Sequence, residues 1–195
     1  MNKSLSLVFF ITHPDVLIDP AIPVPEWRLS PRGLARMRVL LRQPWAVGIV
    51  RVASSMERKA MEGAAILAAP LGLTPVPHAG LGENDRSATG YLPKAAFEAM
   101  ADAFFARPEE SVRGWERAVD AQTRIAAAVR DVLAAAPPGN VAIVSHGGVG
   151  ALLLCHLRSV PISRAADQPP GTGGHVVTFD RVDGTIQREW TPIDP

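Results

Sequence analysis

Short, predominantly apolar runs alternate along this chain with longer amphipathic stretches. The runs at Leu5–Ile11, Val47–Ala53 and Val141–Val144 read as strands covered on both faces of a sheet. Between them, Ser30-Pro31 predicts a helix start, with Ser30 as N-cap and Pro31 at the first helical position, ending near Gln43-Pro44. Ser54 or Ser55 is expected to cap a helix running to about Leu71 and closed by Gly72. Thr74–His78 is a short strand leading into a Gly-rich loop from Gly80 to Gly90. Lys94–Phe105 and Val112–Ala136 carry helical periodicity, and a further helix follows Ser145-His146-Gly147-Gly148. Val176–Phe179 and Thr185–Trp190 predict a hairpin around Asp183-Gly184, and Pro14–Pro25 an ordered loop. Strands alternating with helices predict one three-layer α/β/α sandwich with a mostly parallel central sheet, spanning 1–195 as a single domain.

Composition changes this picture little. Hydrophobic residues make up 47% and charged residues 20% of the 195 positions, the profile of a globular protein. A net charge of +1 gives no global pull toward nucleic acid or membrane, so neither is expected as a partner. The single cysteine, Cys155, lies in an apolar run and reads as a buried structural thiol in a reducing, cytoplasmic setting. Lys3 followed by Leu5–Ile11 resembles the start of a signal peptide, but no small-residue cleavage site follows.

In parallel α/β sheets, ligands bind outside the carboxyl ends of the strands. Three polar clusters fall there: His13 after the first strand, Ser54–Arg58 after the second, and Ser145-His146 after the late one. Taken singly, each has an ordinary structural reading as a solvated histidine, a helix cap or a surface charge. The five histidines are dispersed and show no metal-ligand spacing, so no metal and no cofactor is expected. His78 and His156 read as structural.

These segments, in order, resemble the histidine phosphatase (phosphoglycerate-mutase-like) superfamily. Val144-Ser145-His146-Gly147-Gly148-Val149 is similar to its second-histidine motif, and Ser54-Ser55-Met56-Glu57-Arg58-Lys59-Ala60 to its Ser-Ser-x-x-x-Arg-Ala segment. Leu29-Ser30-Pro31-Arg32-Gly33 matches its Leu-Thr-x-x-Gly helix start. Leu81-Gly82-Glu83 matches the segment bearing an acidic residue, and Pro108-Glu109-Glu110-Ser111 approximates its Gly-Glu-Ser stretch. The resemblance implies metal-free phosphoryl transfer through a phosphohistidine on a small phosphorylated substrate, released as inorganic phosphate. His13 would be the nucleophile, Glu83 the acid and base (Asp85 its nearest substitute), and Arg58 and His146 the holders of phosphoryl oxygens. The N-terminus of the helix after His146 would add an anion site.

The family's Arg-His-Gly is here Thr12-His13-Pro14. Thr12 offers a neutral hydroxyl where the family has a charged fork, a loss worth on the order of 10² to 10³ in rate. Arg28 and Arg86 are the candidate replacements, and His175 lies where related chains bring a loop near the phosphate. The expected function is a phosphomonoesterase, mutase chemistry being disfavoured by the short chain. The alternative is a pseudo-phosphatase that binds a phosphorylated ligand or partner without turning it over, the reading that Thr12 favours.

Overall fold

The structure, a computed structural model, describes residues 6–194. Lys3, and Leu5 at the start of the first apolar run, lie outside the described residues. The strands are β1 (Leu7–Thr12), β2 (Ile49–Ser54), β3 (Val76–Pro77), β4 (Asn140–Ser145), β5 (His175–Asp180) and β6 (Ile186–Pro192). They form one sheet in the order β3-β2-β4-β1-β5-β6. β1 to β4 run parallel; β5 lies antiparallel to β1, and the chain reversal at Gly184 sets β6 antiparallel to β5.

The helices are α1 (Pro31–Leu40), α2 (Arg58–Ala68), α3 (Lys94–Ala106), α4 (Ala118–Ala135) and α5 (Gly147–Leu157). Alternation within β1 shows why the layers form. Val8 and Phe10 enter one core with α3, α4 and α5, while Phe9 and Ile11 enter a second core with α1 and α2. A strand buried on both faces needs apolar side chains in both registers, which is why its sequence shows no polar alternation. The result is the expected three-layer α/β/α sandwich with a mostly parallel central sheet.

Ser30 caps α1 as expected, its Oγ accepting from Gly33 N–H at 3.0 Å. Gly72 closes the second helical segment with φ +64°. Two boundaries differ from expectation. Neither Ser54 nor Ser55 caps α2: β2 extends through Ser54, and α2 starts only at Arg58 after Glu57. The stretch predicted as one helix over Val112–Ala136 is broken at Arg113 (φ 48°) and Gly114 (φ 83°), and α4 begins at Ala118. The break lets Trp115 turn into the core, where it is 2% exposed.

Candidate active site

The register of the parallel strands levels their carboxyl ends. Thr12 pairs with Ser145, and Ser54 with Val144. The bonds continue one step beyond each strand: His13 N–H donates to Ser145 O at 3.0 Å, and Ser55 N–H to Val144 O at 3.0 Å. His13, Ser55 and His146, far apart in sequence, therefore stand side by side. The two imidazole centroids lie 5.1 Å apart in an edge-to-face arrangement.

Hydrogen bonding assigns the tautomer of each ring. The Nδ1 of His13 lies 2.9 Å from Pro14 O, and a carbonyl only accepts, so Nδ1 carries the proton. Burial first, and then the charge of Lys59, push its pKa down to about 4. At neutral pH, His13 is a neutral imidazole with the lone pair on Nε2. His146 is 1% exposed, and its Nε2 lies 2.7 Å from Ser55 Oγ and 3.2 Å from a Glu57 carboxylate oxygen. A carboxylate cannot donate, so Nε2 holds the proton, and buried Nδ1 has no partner among the described residues. Burial, aided by His13, outweighs the attraction of Glu57 and brings the His146 pKa down to about 3.

The cation at this centre is Lys59. Its side chain is 4% exposed, its Nζ donates to Val24 O at 2.9 Å, and it forms an ion pair with Glu57. Arg58, expected to bind phosphoryl oxygens, instead pairs with Glu62 at 3.4 Å and lines a separate cavity with Leu17, Trp27 and Arg28. Successive helical residues point about 100° apart, so only one of the two can face inward. The signal was present in the sequence: in a Ser-Ser-x-x-x-Arg-Ala register counted from Ser54, the arginine position is Lys59 and the alanine Ala60. Glu57 was also missed. Burial would raise its pKa, but the fields of His146 and Lys59, with hydrogen bonds from Lys59 and Glu83 N–H, lower it to about 2.

Glu83 reaches the same rim from the loop after β3. Its carboxylate accepts from Gly148 N–H at 3.1 Å and Val149 N–H at 2.9 Å. The α5 N-terminus, expected to take the phosphoryl group, is thus occupied by this side chain. Gly148 makes the approach possible, since a Cβ there would lie 2.7 Å from Glu83 Oε1.

His13 and Glu83 open onto a cavity of about 210 Å³ whose wall includes Arg86, Phe97, Phe104, Trp115 and Gln168. Arg86 spans two of these rings, its guanidinium carbon 5.0 Å from the Phe97 centroid and 5.6 Å from that of Trp115. Its charge contributes to lowering the His13 pKa. Arg28 is elsewhere, paired with Glu62 at 2.7 Å and 59% exposed. Thr12 is buried, with its hydroxyl donating to Gln168 Oε1 at 2.6 Å and accepting from His175 N–H at 3.0 Å. It is engaged in framework bonds rather than facing the cavity. His175 stands behind Gln168, its Nδ1 3.2 Å from Gln168 Oε1. Asp85 turns away to bond Ser87 N–H at 2.8 Å.

Arg36, which the sequence reading passed over, ties the supporting loops together. It bonds Asp15 at 2.9 Å, Asp194 at 2.8 Å and Thr172 Oγ1 at 3.2 Å. Gly173 (φ +73°) packs so tightly on His13 that a Cβ would collide with the histidine carbonyl.

The fold matches known structures over nearly its whole length. Bacillus stearothermophilus YhfR superposes with a TM-score of 0.77 at 21% identity, covering 93% of this chain and 94% of that one. Mycobacterial glucosyl-3-phosphoglycerate phosphatase, solved with inorganic phosphate, gives 0.75 at 19% identity over 97% and 99%. Thermus thermophilus TTHB049 gives 0.64 at 19% over 95% and 99%. No protein of curated function matches the sequence. The family model for the histidine phosphatase superfamily (branch 1) matches residues 23–189. That span includes His146 and begins after His13, and this chain belongs to the histidine phosphatase superfamily.

Proposed function

We propose that the protein is a phosphomonoesterase working through a phosphohistidine at His13. The carrying observation is the His13 tautomer: Nδ1–H is engaged by Pro14 O, which leaves Nε2 as the nucleophilic nitrogen beside His146. Nε2 forms a bond to phosphorus as the ester P–O bond breaks, and Glu83, as general acid, passes a proton to the departing oxygen. Glu83 then takes a proton from water, whose oxygen displaces His13 and yields inorganic phosphate. Lys59 and Arg86 supply positive charge around the transferred group, in place of the missing arginine and of Arg58. The phosphate and vanadate complexes of the mycobacterial phosphatase support an anion at this position. The single buried Cys155 fits a cytoplasmic location.

The test is a panel of phosphate esters with wild type and His13→Ala, together with ³¹P detection of a base-stable, acid-labile phosphoprotein. Hydrolysis that survives His13→Ala refutes the proposal. A second reading, binding of a phosphorylated ligand without turnover, is favoured by Glu57, whose carboxylate lies 3.2 Å from His146 Nε2 and neutralises Lys59. Phosphate binding with no turnover of any ester would establish it.

A further inference from the structure

The cavity that holds the reacting groups also carries aromatic side chains. Phe97, Phe104 and Trp115 line it, with Phe97 and Trp115 centroids 6.1 Å apart. Trp115 and Phe104 are each 2% exposed and back the wall, with Trp115 Nε1 donating to Thr89 Oγ1 at 2.8 Å, so half-buried Phe97 is the ring left partly open. Arg86 caps the Phe97 and Trp115 rings. The other cationic wall residue, Arg164, is neutralised by Glu98 and Asp102, and Asp167 lies 3.9 Å from it. Apart from Arg86, the wall thus offers no unpaired cation among the described residues, and the Asp167 carboxyl gives an anionic leaving group no partner. Size narrows the choice further. An apolar cavity of about 150 Å³ holds a benzene ring, so about 210 Å³ admits one ring beside the phosphoryl group.

We propose that this cavity selects phosphate esters of small, uncharged, single-ring aromatic alcohols, with the ring packed against Phe97. The inference rests on the phosphatase reading and names its substrate class. Direct binding separates the two, because phosphonates cannot turn over. Calorimetry would compare inorganic phosphate, methylphosphonate, benzylphosphonate and cyclohexylmethylphosphonate; the last two match in size and charge and differ in planarity.

Benzylphosphonate should bind about five- to ten-fold tighter than cyclohexylmethylphosphonate, the magnitude of an aromatic pair beyond simple burial. In Phe97→Leu, which keeps volume at a half-buried position, that ratio should fall to near one. Equal binding of the two in wild type overturns the inference, as does a preference that survives Phe97→Leu. If either occurs while inorganic phosphate still binds in a Lys59-dependent way, the phosphatase reading stands. If neither inorganic phosphate nor any phosphonate binds, both fall.

Discussion

The N–H of Gly174 donates to the carbonyl of His13 at 3.2 Å, so the loop before β5 holds the proposed nucleophile from behind. Arg36 anchors that loop through Thr172 and Gly174 O, and anchors the chain after His13 through Asp15. Arg36→Met should cost about 2–4 kcal/mol of stability by stranding two half-buried carboxylates. It should lower kcat while leaving KM within a few-fold, with partial recovery in Arg36→Lys. Denaturant melts and steady-state kinetics check this; an unchanged kcat would reduce Arg36 to a purely structural tie.

Lys59, rather than Arg58, should carry phosphate binding. Lys59→Met is expected to reduce kcat/KM for aryl phosphates by about 10² to 10³, the loss of one charged donor. Lys59→Arg should retain part of the activity. Arg58→Ala should change it less than about two-fold, because Arg58 pairs outward with Glu62. A reversed order of effects would show that the inward register of α2 is not the functional one.

Restoring the family's arginine should fail. Thr12 is 1% exposed and holds Gln168 and the start of β5 through its hydroxyl. Thr12→Arg would place a charge in that packed space, so the melting temperature should fall with no gain in rate. Arg86→Ala should instead lower phosphate ester turnover by ten-fold or more. A rise in activity on Thr12→Arg would mark the site as decayed rather than rebuilt around Arg86.

Stability should decline in acid from a higher pH than carboxylates alone would give. His13 is lowered from 6.5 to about 4 and His146 to about 3. Below pH 6.5 the unfolded chain binds protons that these desolvated rings refuse, so folding loses free energy as pH falls from 6.5 toward 4 and 3. Glu57, lowered from 4.5 to about 2, adds a further loss below pH 4.5. Urea midpoints measured between pH 8 and 5 should drop, and His13→Phe should flatten the curve over that range. An unchanged pH dependence in His13→Phe would mean that His13 is solvated.

The layered fold was legible because it follows from local pattern. Strands buried on both faces must be apolar in both registers, as in β1 and β4, and Ser30-Pro31 and Gly72 mark helix ends through backbone geometry. His13, His146 and Glu83 were legible because each trails a strand that the sheet must end at one rim. The tertiary structure decided what neighbouring residues do with that rim. Arg58 and Lys59 are adjacent cations, and only the facing of α2 makes Lys59 the buried one. Arg28 and Arg86 were equivalent as sequence; the rings of Phe97 and Trp115 hold Arg86 at the cavity, while Glu62 draws Arg28 outward. Glu83 and α5 were separate anion-site components until packing placed one on the other. Side-chain periodicity encodes which face is buried, but a single polar residue's direction depends on partners far away in sequence, and those partners meet only in the folded chain.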